Sequence, residues 1–140
     1  MQPAKLKAKV ALFNDKSEVL ILCRSQTDKV RPGDLDLAGG SIDGDESPTE
    51  AVLREIKEEV GLELTSKDVA LVYSATDYFE DVSRLRFLYI GRVKGNPKIS
   101  LSFEHDKYEW MPLEKVFESY DHPVWVGGLR YLVDHDLLTL

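Results

Sequence analysis

The sequence predicts an α+β fold organised as a single domain, and three observations carry that expectation. Apolar β-type runs occupy the amino-terminal region and recur in the middle of the chain. A strongly capped amphipathic helix separates these two groups, and two further helical stretches close the chain. With 140 residues, 43% hydrophobic and 31% charged, the chain is long enough for one domain with a proper core. No linker, repeat or low-complexity tract interrupts it, so the domain is expected to run from Ala4 to Leu138.

Leu6–Phe13 and Glu18–Arg24 read as strands of a hairpin, separated by the turn cluster Asn14-Asp15-Lys16-Ser17. Ser25–Asp34 is polar, contains Arg31-Pro32-Gly33 and reads as a loop. Asp34–Leu37 alternates polar and apolar residues, a short strand leading into a glycine turn at Gly39-Gly40. Ser47 then caps a helix that has Pro48 at its first position, Glu50 completing a capping box and Gly61 as its stop. Val69–Thr76 and Leu85–Val93 are strands, with Asp77–Ser83 an acidic, aromatic loop between them. Lys107–Met111 is a weaker strand, and Pro112–Glu118 and Val124–Leu138 are helical. Tyr131, Leu132 and Leu137 suit either the core or a homodimer contact.

Charge and cysteine usage narrow the partners. Eighteen basic and 25 acidic residues leave a net charge of −7, which argues against a nucleic-acid polymer. A small phosphorylated substrate is still compatible, because a bound metal inverts the local field. Cys23 is the only cysteine and sits in the apolar run Val19–Cys23, where a buried structural thiol is expected. No apolar run approaches the ~20 residues that span a bilayer, so no membrane partner is expected. The stretch Met1–Lys5 lacks a signal-peptide core, and a cytoplasmic setting is predicted.

The chemistry concentrates on the central helix. Glu55, Glu58 and Glu59 crowd into little more than one turn, and like charges at i,i+4 cost roughly 0.2–0.5 kcal/mol each. A cation would offset that repulsion, and hard oxygen ligands point to Mg2+, with Mn2+ as a substitute. With Glu55 placed at 0° and about 100° per residue, Glu58 lies near −60° and Glu59 near +40°. Val52, Leu53, Ile56 and Val60 occupy roughly 60° to 160°, so a packing face adjoins a carboxylate face. Arg54, at about −100°, lies beside Glu58 and is placed to restrain a carboxylate. A solvated acidic surface helix is the bland alternative. Two competing motifs fail on spacing. Asp43-Gly44-Asp45 would open a calcium loop, but Pro48 stands where its glycine belongs and Arg54 replaces the closing glutamate. Gly39 and Gly44 have P-loop spacing, yet Asp45 occupies the lysine position.

The segment Gly40–Leu62 resembles the Nudix box, G-x5-E-x7-R-E-U-x-E-E-x-G-U with U aliphatic. Gly40, Glu46, Arg54, Glu55, Ile56, Glu58, Glu59, Gly61 and Leu62 all fall on its constrained positions, while Ala38 replaces a proline common in the family. The resemblance implies an α/β/α sandwich with a central mixed sheet, and a pyrophosphohydrolase cleaving a nucleoside diphosphate linked to another moiety. It implies that Glu55, Glu58 and Glu59 hold metal with the Gly39 carbonyl as a further ligand, that Arg54 orients the carboxylates, and that Glu46 supports the loop–helix geometry.

Family members differ in their general base. Glu104, just before the strand-to-helix junction Glu109-Trp110-Met111-Pro112-Leu113, is the candidate outside the box for both metal and catalysis, while Glu55 also stays open. Asp106 and Glu109 are weaker alternatives, and the adjacent His105 is expected to be a bystander. Tyr78, Phe79, Phe103 and Trp125 are candidates for stacking on a base, though each also suits packing. Tyr78 stands near a tyrosine typical of the family's diadenosine polyphosphate hydrolases. The substrate itself, among nucleoside triphosphates, dinucleoside polyphosphates and nucleotide sugars, is not encoded. A non-catalytic nucleotide sensor using the same pocket is the second reading, and an interaction domain with an acidic helix the third.

Overall fold

The computed structural model describes residues 4–138. Strands β1 (Ala4–Phe13), β2 (Glu18–Arg24), β3 (Leu35–Asp36) and β4 (Ala38–Ser41) precede helix α1 (Pro48–Val60). Strands β5 (Val69–Phe79), β6 (Val82–Arg92) and β7 (His105–Pro112) follow, and helices α2 (Leu113–Ser119) and α3 (Trp125–Asp134) complete the order. The sheet runs β3-β2-β1-β6-β5, with β4 also paired to β1 and β7 to β2. β1 and β6 are parallel and the other pairings antiparallel, so the sheet is mixed.

Alternation along β1 divides the core into two layers. Ala8, Val10 and Leu12 turn to one face, where Val52, Ile56 and Val60 of α1 bury against them. Ala11 and Phe13 turn to the other, where Val116 of α2 and Trp125, Leu129 and Leu132 of α3 cover them. Each such aliphatic side chain contributes about 1.5–3 kcal/mol through burial. The helices therefore flank the sheet on both sides, as expected.

Helix α1 carries the predicted caps. Ser47 Oγ accepts from the Glu50 amide at 3.1 Å, and Glu50 Oε1 accepts from the Ser47 amide at 2.9 Å. Gly61, at φ 74°, takes the left-handed position and its amide donates to the Lys57 carbonyl at 3.1 Å. The last-turn carbonyls of Glu59 and Val60 accept from the Ser102 and Ser100 amides at 3.1 and 2.9 Å. That splice satisfies orphan helix-end groups. It also brings the chain leading to Glu104 and His105 onto the carboxylate end of the helix.

Several expectations need correction. Asp77–Ser83 is not a loop: β5 continues to Phe79, and β6 starts at Val82. Glu80 and Asp81, at φ 50° and 61°, form a two-residue turn of the primed type that suits strand twist. Without the usual Asn or Gly there, the sequence concealed the hairpin. Gly39-Gly40 is no turn either, since both lie within β4 and pair with Lys9 and Ala8 of β1. β7 begins at His105 rather than Lys107, and α3 stops at Asp134 rather than Leu138. The β1–β2 hairpin forms, but its recorded register is the single pair Phe13↔Val19 before the strands leave for other partners. Cys23 is half-buried, with its Sγ 3.4 Å from the Gly33 carbonyl oxygen, rather than fully sequestered. Leu53 is likewise only half-buried, and Leu132 packs in the core while Tyr131 and Leu137 stay exposed. Among the described residues no helix is long and apolar enough to cross a membrane.

Candidate active site

The box arginine organises the amino-terminal half of the site. Arg54 donates through Nε and Nη2 to both oxygens of Glu46, at 3.0 and 2.7 Å. Its Nη1 reaches Glu55 at 3.0 Å and Glu58 at 3.2 Å, and Nη2 also reaches the Ser41 carbonyl at 3.1 Å. One planar guanidinium thus ties the β4 end, the loop and the helix together, a task suited to its fixed fork of donors. The hydrogen bonds from Arg54 and from the Asp43 amide lower Glu46 to about 2. Glu46 also raises Arg54, with further help from Glu55.

The three helix carboxylates do not share one environment. Glu58 is exposed, Glu55 is half-buried and Glu59 is buried at 2% exposure. The expected face presenting all three side by side is therefore corrected. At about +40° on the wheel, Glu59 borders the packing face and the sheet closes over it. Its Oε1 accepts from the Gly39 amide at 2.7 Å. Burial, then repulsion from Glu55 and Asp36, pushes Glu59 up to about 8 against the pull of Lys9 and the Gly39 amide. Burial is the main cause that raises Glu55, against the pull of Arg54 and with smaller repulsions from Glu58 and Glu104.

The residues that the sequence reasoning missed lie beneath this cluster. His105 is buried at 3% exposure, its Nδ1 3.5 Å from Glu59 and its Nε2 3.6 Å from Asp36. Lys9 Nζ donates to Asp36 at 2.6 Å and to the Leu37 carbonyl at 3.2 Å, and Arg24 reaches the same carboxylate at 3.1 Å. Burial opposes ionisation of Asp36, but Lys9 and His105 outweigh it and hold the carboxyl well below its usual range. His105, expected in a loop, is instead a buried residue at the start of β7. One signal was available: Lys9 interrupts the apolar face of β1, and a charge on that face demands a partner.

Lys9, Arg24 and Glu59 line a cleft of about 1000 Å³ above the buried His105 and Asp36. Gly39, Gly40, Ser41, Glu55, Glu58, Glu59 and Glu104 form its acidic side. Lys5, Lys7, Arg84 and Arg86 form a basic wall, because parallel register sets Lys5 beside Arg84 and Lys7 beside Arg86. Asp77 accepts two hydrogen bonds from Arg86, at 3.0 and 3.3 Å, and also feels the charge of Arg84. Burial, then Lys9, Lys5, Arg86 and Arg84, lower Lys7. Tyr78, Phe79 and Trp125 also line the cleft, the first two more than half exposed and Trp125 buried beneath Arg86. Phe103 projects at 89% exposure and is not among the cleft's lining residues, nor are Asp106 and Glu109. A smaller groove of about 420 Å³ near Leu62 contains none of the box carboxylates.

The donor set fits a hard divalent cation in chemistry. Glu55, Glu58, Glu59 and Glu104 offer oxygen ligands whose mutual repulsion lacks full compensation. A Cβ on Gly40 would stand 3.0 Å from Glu55 Oε1, so glycine preserves the space over that carboxylate. Among the described residues no three Asp, Glu, His or Cys groups are gathered closely enough to hold an ion as they stand. Arg54 draws Glu55 and Glu58 aside, while Gly39 and the core hold Glu59.

A mixed sheet between helices, with a carboxylate helix beside a basic wall, is the architecture that the sequence resemblance implied. The chain belongs to the Nudix family of pyrophosphohydrolases, since the NUDIX domain model matches residues 4–130. It is 29% identical over 110 residues to the nucleoside triphosphatase NudI of Klebsiella pneumoniae (strain 342), covering 72% of this chain and 77% of that one. It is 30% identical over 110 residues to the 8-oxo-dGTP diphosphatase of Escherichia coli (strain K12), covering 78% and 81% respectively. Among solved structures, a MutT protein from Methanosarcina mazei Go1 superposes with a TM-score of 0.82 at 25% identity, over 96% of both chains.

Proposed function

We propose that residues 4–138 act as one Mg2+-dependent domain, with Mn2+ as a substitute, that hydrolyses the diphosphate linkage of a nucleoside diphosphate derivative. The observation that carries this reading is the cleft itself, with Glu55, Glu58, Glu59 and Glu104 facing Lys5, Lys7, Arg84 and Arg86. What a divalent cation held by Glu55, Glu58, Glu59 and the Gly39 carbonyl supplies is charge neutralisation and a more acidic water. Arg54 fixes the directions of Glu55 and Glu58, so positioning rests on the protein. Glu104 lines the same acidic side and its charge reaches Glu55, its backbone carbonyl accepting from the Ser25 amide at 2.9 Å. In that position its carboxylate accepts the proton of the attacking water as oxygen bonds to phosphorus. The electron pair of the broken P–O bond leaves with the departing phosphate, and the basic wall balances that charge.

Tyr78, Phe79 and Trp125 give the base or sugar an aromatic border. Likeness to a nucleoside triphosphatase and to an 8-oxo-dGTP diphosphatase supports nucleoside triphosphates as the first substrates to try. The single cysteine and predicted absence of a membrane partner favour a cytoplasmic setting. A panel of nucleoside triphosphates, nucleotide sugars, ADP-ribose and dinucleoside polyphosphates with Mg2+ tests the proposal. Phosphate-bond cleavage that disappears in Glu58→Gln and Glu59→Gln supports it. Full turnover in those variants overturns the metal assignment, and tight binding without cleavage favours a sensor.

A further inference from the structure

The imidazole of His105 is completely enclosed, and neither ring nitrogen has a hydrogen-bond partner within normal reach. Such orphaned buried polar atoms are uncommon and call for a physical reason. Here the ring lies between two carboxylates at almost equal distance, 3.5 Å to Glu59 and 3.6 Å to Asp36. Both carboxylates are almost wholly buried, so a water shell cannot orient them. Lys9 holds Oδ1 of Asp36, and Arg24 holds Oδ2, the oxygen that His105 faces. Glu59 has the Gly39 amide on one oxygen and His105 beside the other.

We propose that His105 is a positioning residue that couples Glu59 to the Asp36–Lys9 pair and holds its carboxylate in the direction the reaction requires. The proposal rests on the assignment of Glu59 to the hydrolytic site. The coupled groups come from separate elements: Lys9 from β1, Asp36 from β3, Gly39 from β4, Glu59 from α1 and His105 from β7. A small displacement of Glu59 is resisted directly by the Gly39 amide, and by Asp36 and Lys9 through one ring. Groups that orient ligating carboxylates and imidazoles typically alter activity or metal affinity about 10–100-fold when removed. Phenylalanine preserves the ring's bulk at position 105 while removing both nitrogens, whereas glutamine restores one polar group toward Glu59.

The first experiment uses metal-free wild-type protein and reads the ring directly. Nitrogen NMR of His105 is compared between wild type, Glu59→Gln and Asp36→Asn. Coupling predicts that each substitution moves the His105 signals, and unmoved signals in both variants overturn it. The second experiment compares metal activation and kinetics. His105→Phe should lower kcat about 10–100-fold and raise the Mn2+ concentration for half-activation, with substrate KM within about twofold of wild type. His105→Gln should recover part of kcat, and adding Asp36→Asn to His105→Phe should cause little further loss. A folded His105→Phe protein with wild-type kcat and metal activation refutes the role, as does a change confined to KM. If His105→Phe fails to fold, the NMR comparison still decides. If Glu59→Gln retains turnover, the hydrolytic assignment fails instead, so the two failures are distinguishable.

Discussion

Replacing Glu59 with glutamine should abolish turnover and yet stabilise the metal-free protein at alkaline pH. The Glu59 carboxyl is raised from 4.5 to about 8, chiefly by burial. Between those values the folded chain binds a proton that the unfolded chain releases, so metal-free stability falls as pH rises through the interval. At about 1.36 kcal/mol per unit, the full effect is on the order of 4 kcal/mol near pH 8. Glutamine imitates the protonated acid. Its Oε1 still accepts from the Gly39 amide, now at 2.7 Å from the carboxylate, and its amide nitrogen faces His105 Nδ1. For a chain of 140 residues, the gain in Tm near pH 8 should be on the order of 10 °C. The assay is thermal unfolding of wild type and Glu59→Gln with a chelator present, followed across about pH 5 to pH 8. The wild type should lose stability with rising pH while the variant stays comparatively flat. A constant difference at all pH values, or a variant less stable near pH 8, would refute the reasoning. Added Mg2+ should stabilise wild type most at high pH and leave the variant nearly unchanged, because cation and proton compete for the same oxygens.

Four further outcomes can be checked separately. Arg54→Lys loses the forked contact to both oxygens of Glu46, and activity should fall about 10–100-fold with a higher metal requirement in steady-state kinetics. Gly40→Ala places a Cβ 3.0 Å from Glu55 Oε1, so kcat should drop while denaturant unfolding shifts by less than about 2 kcal/mol. Gly39→Ala, at φ 133° and with a Cβ 2.3 Å from the Ala8 carbonyl, should instead lose stability by more than about 3 kcal/mol. Glu80→Asn in the β5–β6 turn, at φ 50°, should raise unfolding free energy by about 0.5–1 kcal/mol without altering turnover.

Local order was legible wherever short-range chemistry controls it. The capping box at Ser47 and Glu50, the stop at Gly61 and the packing stripe of Val52, Ile56 and Val60 all appear at the expected places. The Glu80-Asp81 turn was hidden because its residues tolerate positive φ without advertising it, and the strands around it supply the compensating pairs. Glu104 could be nominated from its place before β7. Its approach to the cleft depends on Ser100 and Ser102 capping the end of α1, a long-range pairing that no local pattern reveals.

By itself the sequence determined the reaction type, because nine constrained box positions lie within 23 residues and helical periodicity alone brings Arg54, Glu55 and Glu58 together. Tertiary structure decided which carboxylate is withdrawn from water. Glu59 becomes different from Glu58 only when the sheet closes over it and His105, Asp36 and Lys9 arrive from three strands. Burial and electrostatic coupling depend on distance in space, so residues such as Lys9 and Asp36, 27 positions apart, acquire their shared role only on folding.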